Sequence, residues 1–375
     1  MLKDLRFGVY RFLMRAKEPL LLPEFKGGVL RGAFGTVFKK MACSRYQGPA
    51  VVVTEPEIAS CSRKDTSPEP GIEETRWEGP EEAEEDRSEA VSTRRDKPCL
   101  DCPAAVGCVY KAIFEPSPPP GSERLRTLED IPRPFVLRIP PDPRRILNTG
   151  ELLIWEVVLV GNAIGALPYF IVAFKEIGEI GFGLWHDGRR SKAHLEAVHS
   201  VNPFTHSASR IYSGTTSTVD LSRHIEITGE DIMAEAKKLP DDFIMVEFRT
   251  PTRMRYQSRY VEIPEFHVLV RNLLRRLSTL SYFYEGKEIN LDFEGLISRA
   301  SKVTLDASDL AWKPWLRYSG RSKTRMDFGG FMGKVWYKGH LEEFLPLLVY
   351  GTLSNVGKTA TFGLGQYVLG HPSKA

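Results

Sequence analysis

Residues 264–284 read PEFHVLVRNLLRRLSTLSYFY. Phe266, Leu269, Val270, Leu273, Leu274, Leu277 and Leu280 recur at three- and four-residue steps, the signature of an amphipathic helix over about 264–284. A strand at 243–256 precedes it. Two strands near 301–318 and 325–338 follow as a hairpin, then a helix near 340–353 and a last strand at 366–369. The first half repeats this plan. A strand within 5–22 leads through Pro23 into a helix over 24–42, with Val29, Ala33, Val37 and Met41 on one side. Strands at 134–139 and 151–160, a helix at 165–177 and a strand at 193–201 complete it. Each second helix has a Gly-x-Gly turn after it, Gly181-Phe182-Gly183 and Gly363-Leu364-Gly365. The pattern predicts an α+β fold of two tandem ferredoxin-like (RRM-like, βαββαβ) domains, over 1–235 and 236–375.

Composition sets the class. The 375 residues suffice for two domains with their own cores, and 26% charged residues suit a soluble globular chain. The N-terminus has no apolar segment of signal-peptide type, which predicts a cytoplasmic protein. The apolar run 152–174 is broken by Glu156, Asn162 and Pro168, so a buried strand, a turn and a buried helix explain it better than a membrane span. Charge is uneven. Residues 55–98 hold 14 Asp or Glu against 7 Lys or Arg, leaving the remainder at +10. Poor in aliphatics, 55–98 reads as a disordered acidic insertion, and a basic body suits nucleic acid.

Five cysteines without a signal peptide argue against a disulfide framework. Cys99, Cys102 and Cys108 form a knot over 99–108, with Cys43 as a fourth thiolate. Four thiolates suit a structural zinc, with an iron–sulfur cluster as the alternative and buried free thiols as the plainer reading. Cys61, within the acidic segment, reads as a free thiol. The pattern gives no catalytic metal.

The stretch 355–367, NVGKTATFGLGQY, holds Gly357, Lys358, Gly363 and Gly365. Glycines permit close backbone approach to a phosphate and Lys358 adds a point charge; a tight turn is the plainer reading. The spacing is not that of a nucleotide-binding P-loop. Arg317, Tyr318, Arg321, Lys323 and Arg325 interleave an aromatic ring with cations, as RNA-contacting segments do. On the 264–284 helix, His267, Arg271 and Arg275 recur every fourth residue opposite the apolar stripe, as a phosphate-binding and proton-transfer face or an ordinary solvated one. His186, near Arg189, Arg190 and Lys192, is the competing histidine.

Together the glycine stretch, LRGAFG from Leu30, WLRYSGRS from Trp315, FGGFMG from Phe328 and VRNLLRRLS from Val270 resemble the RAMP-type CRISPR-associated endoribonucleases. The resemblance implies cleavage of CRISPR repeat RNA without metal, by attack of the ribose 2′-OH, leaving 2′,3′-cyclic phosphate and 5′-OH ends. It implies repeat RNA and other CRISPR effector subunits as partners, and no membrane. A histidine, a tyrosine and a lysine are the usual parts, which here points to His267, Tyr318 and Lys358. One departure stands out: the first helix carries no histidine. A non-catalytic RNA-binding subunit of the same fold is the alternative, and a metal-stabilised protein scaffold a third reading.

Overall fold

The computed structural model describes residues 2–43, 99, 102–117, 131–319 and 324–370, with the side chains of 317–319, 324 and 325 left out. The acidic insertion lies outside the described residues. The fold is mixed α/β with antiparallel sheets.

The first sheet has the order Thr218–Val219, Ser207–Ser213, Ala193–Asn202, Phe7–Ala16, Leu152–Val160, Phe135–Arg138, with Glu226–Ile227 also paired to Phe7–Ala16. Tyr10, Phe12 and Met14 on one face of its central strand pack with α1 (Gly27–Ala42), α2 (Val109–Phe114) and α3 (Leu167–Ile180). Phe34 of α1 centres this core, in ring contact with Phe38, Phe114, Phe135, Phe170 and Phe174. The predicted face of α1 is corrected: Leu30, Phe34, Val37 and Phe38 are buried and Met41 is 40% exposed. The helix also starts later than predicted. Phe25 packs on Trp315 at 4.4 Å, and the buried Lys26 donates to the Asp142 carbonyl at 2.6 Å, so the chain before Gly27 is used for tertiary contacts.

The second sheet has the order Thr304–Lys313, Gly330–Lys338, Phe243–Thr252, Tyr367–Gly370. With it come α4 (Gly229–Ala236), α5 (Phe266–Glu285), α6 (Phe293–Ala300) and α7 (Leu345–Ser354). Every apolar residue of the predicted α5 stripe is buried. The run 152–174 resolves into a strand, a 3-10 turn (Gly161–Ala166) and α3. No helix among the described residues is long and apolar enough to cross a membrane.

The two halves share contacts. Phe7 and Val9, on the opposite face of their strand from Tyr10, enter the same core as Leu273 and Tyr350. The Arg6 guanidinium forks onto Glu285 at 3.1 and 2.9 Å, and the Arg6 backbone N–H donates to the same carboxylate at 3.0 Å. Tyr284 donates to the Pro132 carbonyl at 3.0 Å. The Glu285 side chain is only 7% exposed, so its charge depends on Arg6 for compensation. Glu285→Gln is expected to lower stability by about 1–3 kcal/mol, the scale of a charge-assisted hydrogen bond. A urea unfolding curve with an unchanged midpoint would count against this clamp.

Candidate functional site

The glycine stretch is a tight wedge between the two sheets. Asn355, fully buried with φ +56°, donates its amide to the Leu364 carbonyl at 3.0 Å. The Val356 N–H donates to the Gly365 carbonyl at 2.9 Å, closing the loop on itself. Lys358 and Gly365 N–H groups donate to the carbonyls of Arg253 and Pro251, each at 3.1 Å, stitching the loop to the end of the Phe243–Thr252 strand. On the other side, a Cβ at Gly363 would lie 2.7 Å from the Leu137 carbonyl oxygen, and one at Gly27 of α1 2.0 Å from that of Phe362. A Cβ at Gly357 would lie 2.2 Å from the Arg253 carbonyl oxygen. At these glycines the missing side chain lets protein backbone pack closely. Between Gly357 and Gly363, Lys358 is exposed at the surface of the wedge.

Beside Lys358 stands a hairpin where the sequence pattern suggests only the tail of a strand. Arg255–Tyr256 pairs with Arg259–Tyr260, and Gln257 and Ser258 turn between them with φ of +48° and +66°. Two consecutive positive φ values mark a type I′ turn, whose twist matches that of a hairpin. The Tyr260 ring gathers cations: Arg253 at 4.2 Å, Arg255 at 5.0 Å and Lys358 at 6.0 Å from its centroid. Arg253 is held in turn by Asp327, through its backbone carbonyl and a 3.5 Å ion pair. Three positive side chains around one partly exposed aromatic ring suit a phosphate next to an unpaired base. The signal in the sequence was the alternation Arg255-Tyr256 and Arg259-Tyr260.

The other predicted residues fall as follows. His267 is not on the wet face: its side chain is 12% exposed, its ring lies edge-on to Tyr256 at 5.0 Å, and Nε2 meets the Glu265 carboxylate at 2.9 Å. The hairpin covers that turn of α5. Arg271 and Arg275 are exposed as predicted, with the Arg271 guanidinium 5.8 Å from the Tyr256 ring centroid. Arg317 and Tyr318 lie on the strand Leu316–Ser319 and Arg325 on Thr324–Asp327, with Tyr318 opposite Arg325. Arg321 and Lys323 lie outside the described residues. That hairpin leads at its base into Asp327, the partner of Arg253. His186 is solvent-exposed and meets Asp187 at 3.2 Å. It stands in the strand Phe182–His186, and the structure gives it no contact with the cation cluster.

The cysteines stand in the first half, at the end of α1 and the start of α2. Burial, the Glu115 carboxylate and the thiols of Cys43 and Cys108 push the Cys99 thiol up to about 12. A raised thiol holds its proton, the opposite of what a thiolate ligand needs. Among the described residues, no three His, Cys, Asp or Glu side chains converge closely enough to hold a metal ion. Cys61 lies outside the described residues.

Comparison with known proteins covers both halves. A family model described as an N-terminal domain matches residues 5–62 and 88–224. The model of the CRISPR-associated endoribonuclease Cas6 matches residues 246–367, which include the whole hairpin and glycine wedge. Among solved structures, a Thermus thermophilus Cas6 product complex is similar over 97% of this chain and 99% of its own, at 14% identity and a TM-score of 0.51. A partial Cas6-RT-Cas1–Cas2 complex is similar over 99% of this chain and 47% of its own, at 11% identity and a TM-score of 0.50. At these identities the likeness shows the fold. No curated protein matches.

Proposed function

Since the chain belongs to the family of the CRISPR-associated endoribonuclease Cas6, we propose that the surface around Lys358 and Tyr260 is where it cuts CRISPR repeat RNA. The protein is an endoribonuclease of CRISPR-transcript processing. Both halves, each strand–helix–strand–strand–helix–strand, read as tandem ferredoxin-like units. One observation carries the placement of the site: three cations converge on the Tyr260 ring at the edge of the glycine wedge.

In this reading the ribose 2′-OH gives up its proton and O2′ attacks the adjacent phosphorus. The bond to O5′ then breaks, and O5′ takes a proton as it leaves. The nucleophile is part of the substrate, so the demand on the protein is charge stabilisation and proton transfer. Lys358 and Arg253 neutralise the phosphorane, and Tyr260 stacks on an unpaired base beside the cut. We assign proton transfer to Tyr318, whose strand is paired with the one ending at Asp327. We reassign His267 from proton transfer to positioning Tyr256, because its side chain is largely covered by the hairpin and its Nε2 meets Glu265. Arg317, Arg321, Lys323 and Arg325 remain proposed RNA contacts, where cations suit a strand's phosphates.

The ends of the products test the reaction. Mass analysis of the upstream fragment is expected to give a 2′,3′-cyclic phosphate, and the downstream fragment a free 5′-OH. A 5′-phosphate product would contradict attack by the 2′-OH.

We further propose, from the C-x2-C spacing, that Cys43, Cys99, Cys102 and Cys108 are ligands of a structural zinc that takes no part in the chemistry. Purified protein is then expected to carry about one zinc per chain, lost with Cys99→Ser. Metal-free protein with the same melting curve as the zinc-loaded form would remove this assignment.

A further inference from the structure

On the far side of the 255–260 hairpin from Tyr260 lies a groove of about 440 Å³. Its walls are Arg255 and Tyr256 from the hairpin, Arg271 and Arg275 from α5, and Phe293 from α6. Asn272, buried beneath, donates its amide to the Arg255 carbonyl at 3.3 Å and to the Val268 carbonyl at 2.9 Å, tying hairpin to helix. Among the described residues no carboxylate forms an ion pair with Arg271 or Arg275. The two are one helical turn apart, about 6 Å along the axis. Two cations at that spacing over an aromatic wall match consecutive phosphates of an extended strand with a base lying against a ring.

We infer that this groove is a second RNA seat, holding unpaired nucleotides that continue from the cleavage site around the hairpin. The inference rests on the RNA-cutting reading and extends it. Arg255 joins the two seats, since it reaches the Tyr260 ring at 5.0 Å and also lines the groove. The hairpin thus carries Tyr260 toward the cut and Tyr256 toward the groove, with Arg255 between. The aromatic wall of Tyr256 and Phe293 can be met only by a base that is not paired within a duplex stack, so the occupant is single-stranded RNA. The edge-on His267 ring backs Tyr256 from the side of α5 and fixes that wall.

The test uses the full chain and three labelled RNAs: a repeat ending at the cut, and the same repeat extended by four unpaired nucleotides on its 5′ or its 3′ side. A 2′-deoxy at the cut keeps all three intact. One of the extensions is expected to tighten wild-type binding by about ten-fold, the scale of one stacked base with its phosphates. Arg271→Ala/Arg275→Ala should abolish that gain and reduce the slope of log affinity against log salt by about 1.4, which is about 0.7 for each single-strand phosphate that is no longer neutralised. Arg271→Lys/Arg275→Lys should restore the slope. If neither extension tightens wild-type binding, or if the alanine variant keeps both the gain and the slope, the groove is not an RNA seat. Failure of the cleavage reading shows separately, as wild type that leaves the all-ribose form of the 3′-extended repeat uncut.

Discussion

Lys358→Ala is expected to slow cleavage of repeat RNA by about a hundred- to a thousand-fold, the usual loss when one charge-stabilising group is taken from a transition state. Binding should fall far less, since one phosphate contact among many is removed. The split follows from position. The Lys358 backbone N–H is fixed to the Arg253 carbonyl, and its ammonium lies 6.0 Å from the Tyr260 ring centroid, within the cluster that Arg253 completes. The side chain is exposed, so the melting curve should not move. Lys358→Arg keeps the charge on a broader, planar group and should recover only part of the rate. Single-turnover rates and affinities for the same RNA check both halves of the prediction. Equal losses in binding and rate would make Lys358 a binding contact alone.

Gly365→Ala is expected to be the most damaging single methyl among the described glycines. Gly365 has φ +71°, a conformation that costs an L-residue about 1–2 kcal/mol. Beyond that, its Cβ would sit 1.8 Å from the Val356 carbonyl oxygen, inside a loop pinned to Pro251 and to itself. The loop has to open, and with it the seat of Lys358, so we expect a loss above about 3 kcal/mol and loss of cleavage. Gly150 is the control. It has φ +88° with open space where a methyl would stand, so Gly150→Ala should cost only the backbone strain of about 1–2 kcal/mol. Thermal melts of the two variants side by side read the difference. Equal shifts would mean the wedge tolerates displacement.

The elements with long periodic signals were legible. The α5 stripe announced itself because a helix of 20 residues repeats its pattern many times, and the paired Gly-x-Gly turns were legible because only a special backbone needs them. Gly181, Gly183, Gly363 and Gly365 all have positive φ, between +71° and +99°. The 255–260 hairpin was not legible. Each of its strands has two residues, too few to alternate, and only Arg253 and Met254 separate it from the strand Phe243–Thr252, so it merged into the predicted strand over 243–256. The error on His267 followed from that one. A helical wheel places His267 with Arg271 and Arg275, but cannot show that a hairpin folds back over one turn of the helix and leaves the next two open. The face of α1 shifted for a similar reason. Leu30, Phe34 and Phe38 turn inward because the aromatic core of α2 and α3 lies on that side, information carried by residues far along the chain. The cysteines show the limit of spacing: C-x2-C predicts ligands, yet among the described residues no three candidate ligands converge closely enough to hold a metal ion.

The most direct measurement is cleavage of a labelled repeat RNA by the full chain in EDTA, beside the same RNA carrying a single 2′-deoxy at the cut. The surface built on Lys358, Arg253 and Tyr260 predicts one cut in the all-ribose RNA, undiminished by the chelator, and none in the 2′-deoxy RNA, which still binds with similar affinity. Tight binding of both RNAs with no cut in either would contradict it, and would make this chain an RNA-holding member of its fold.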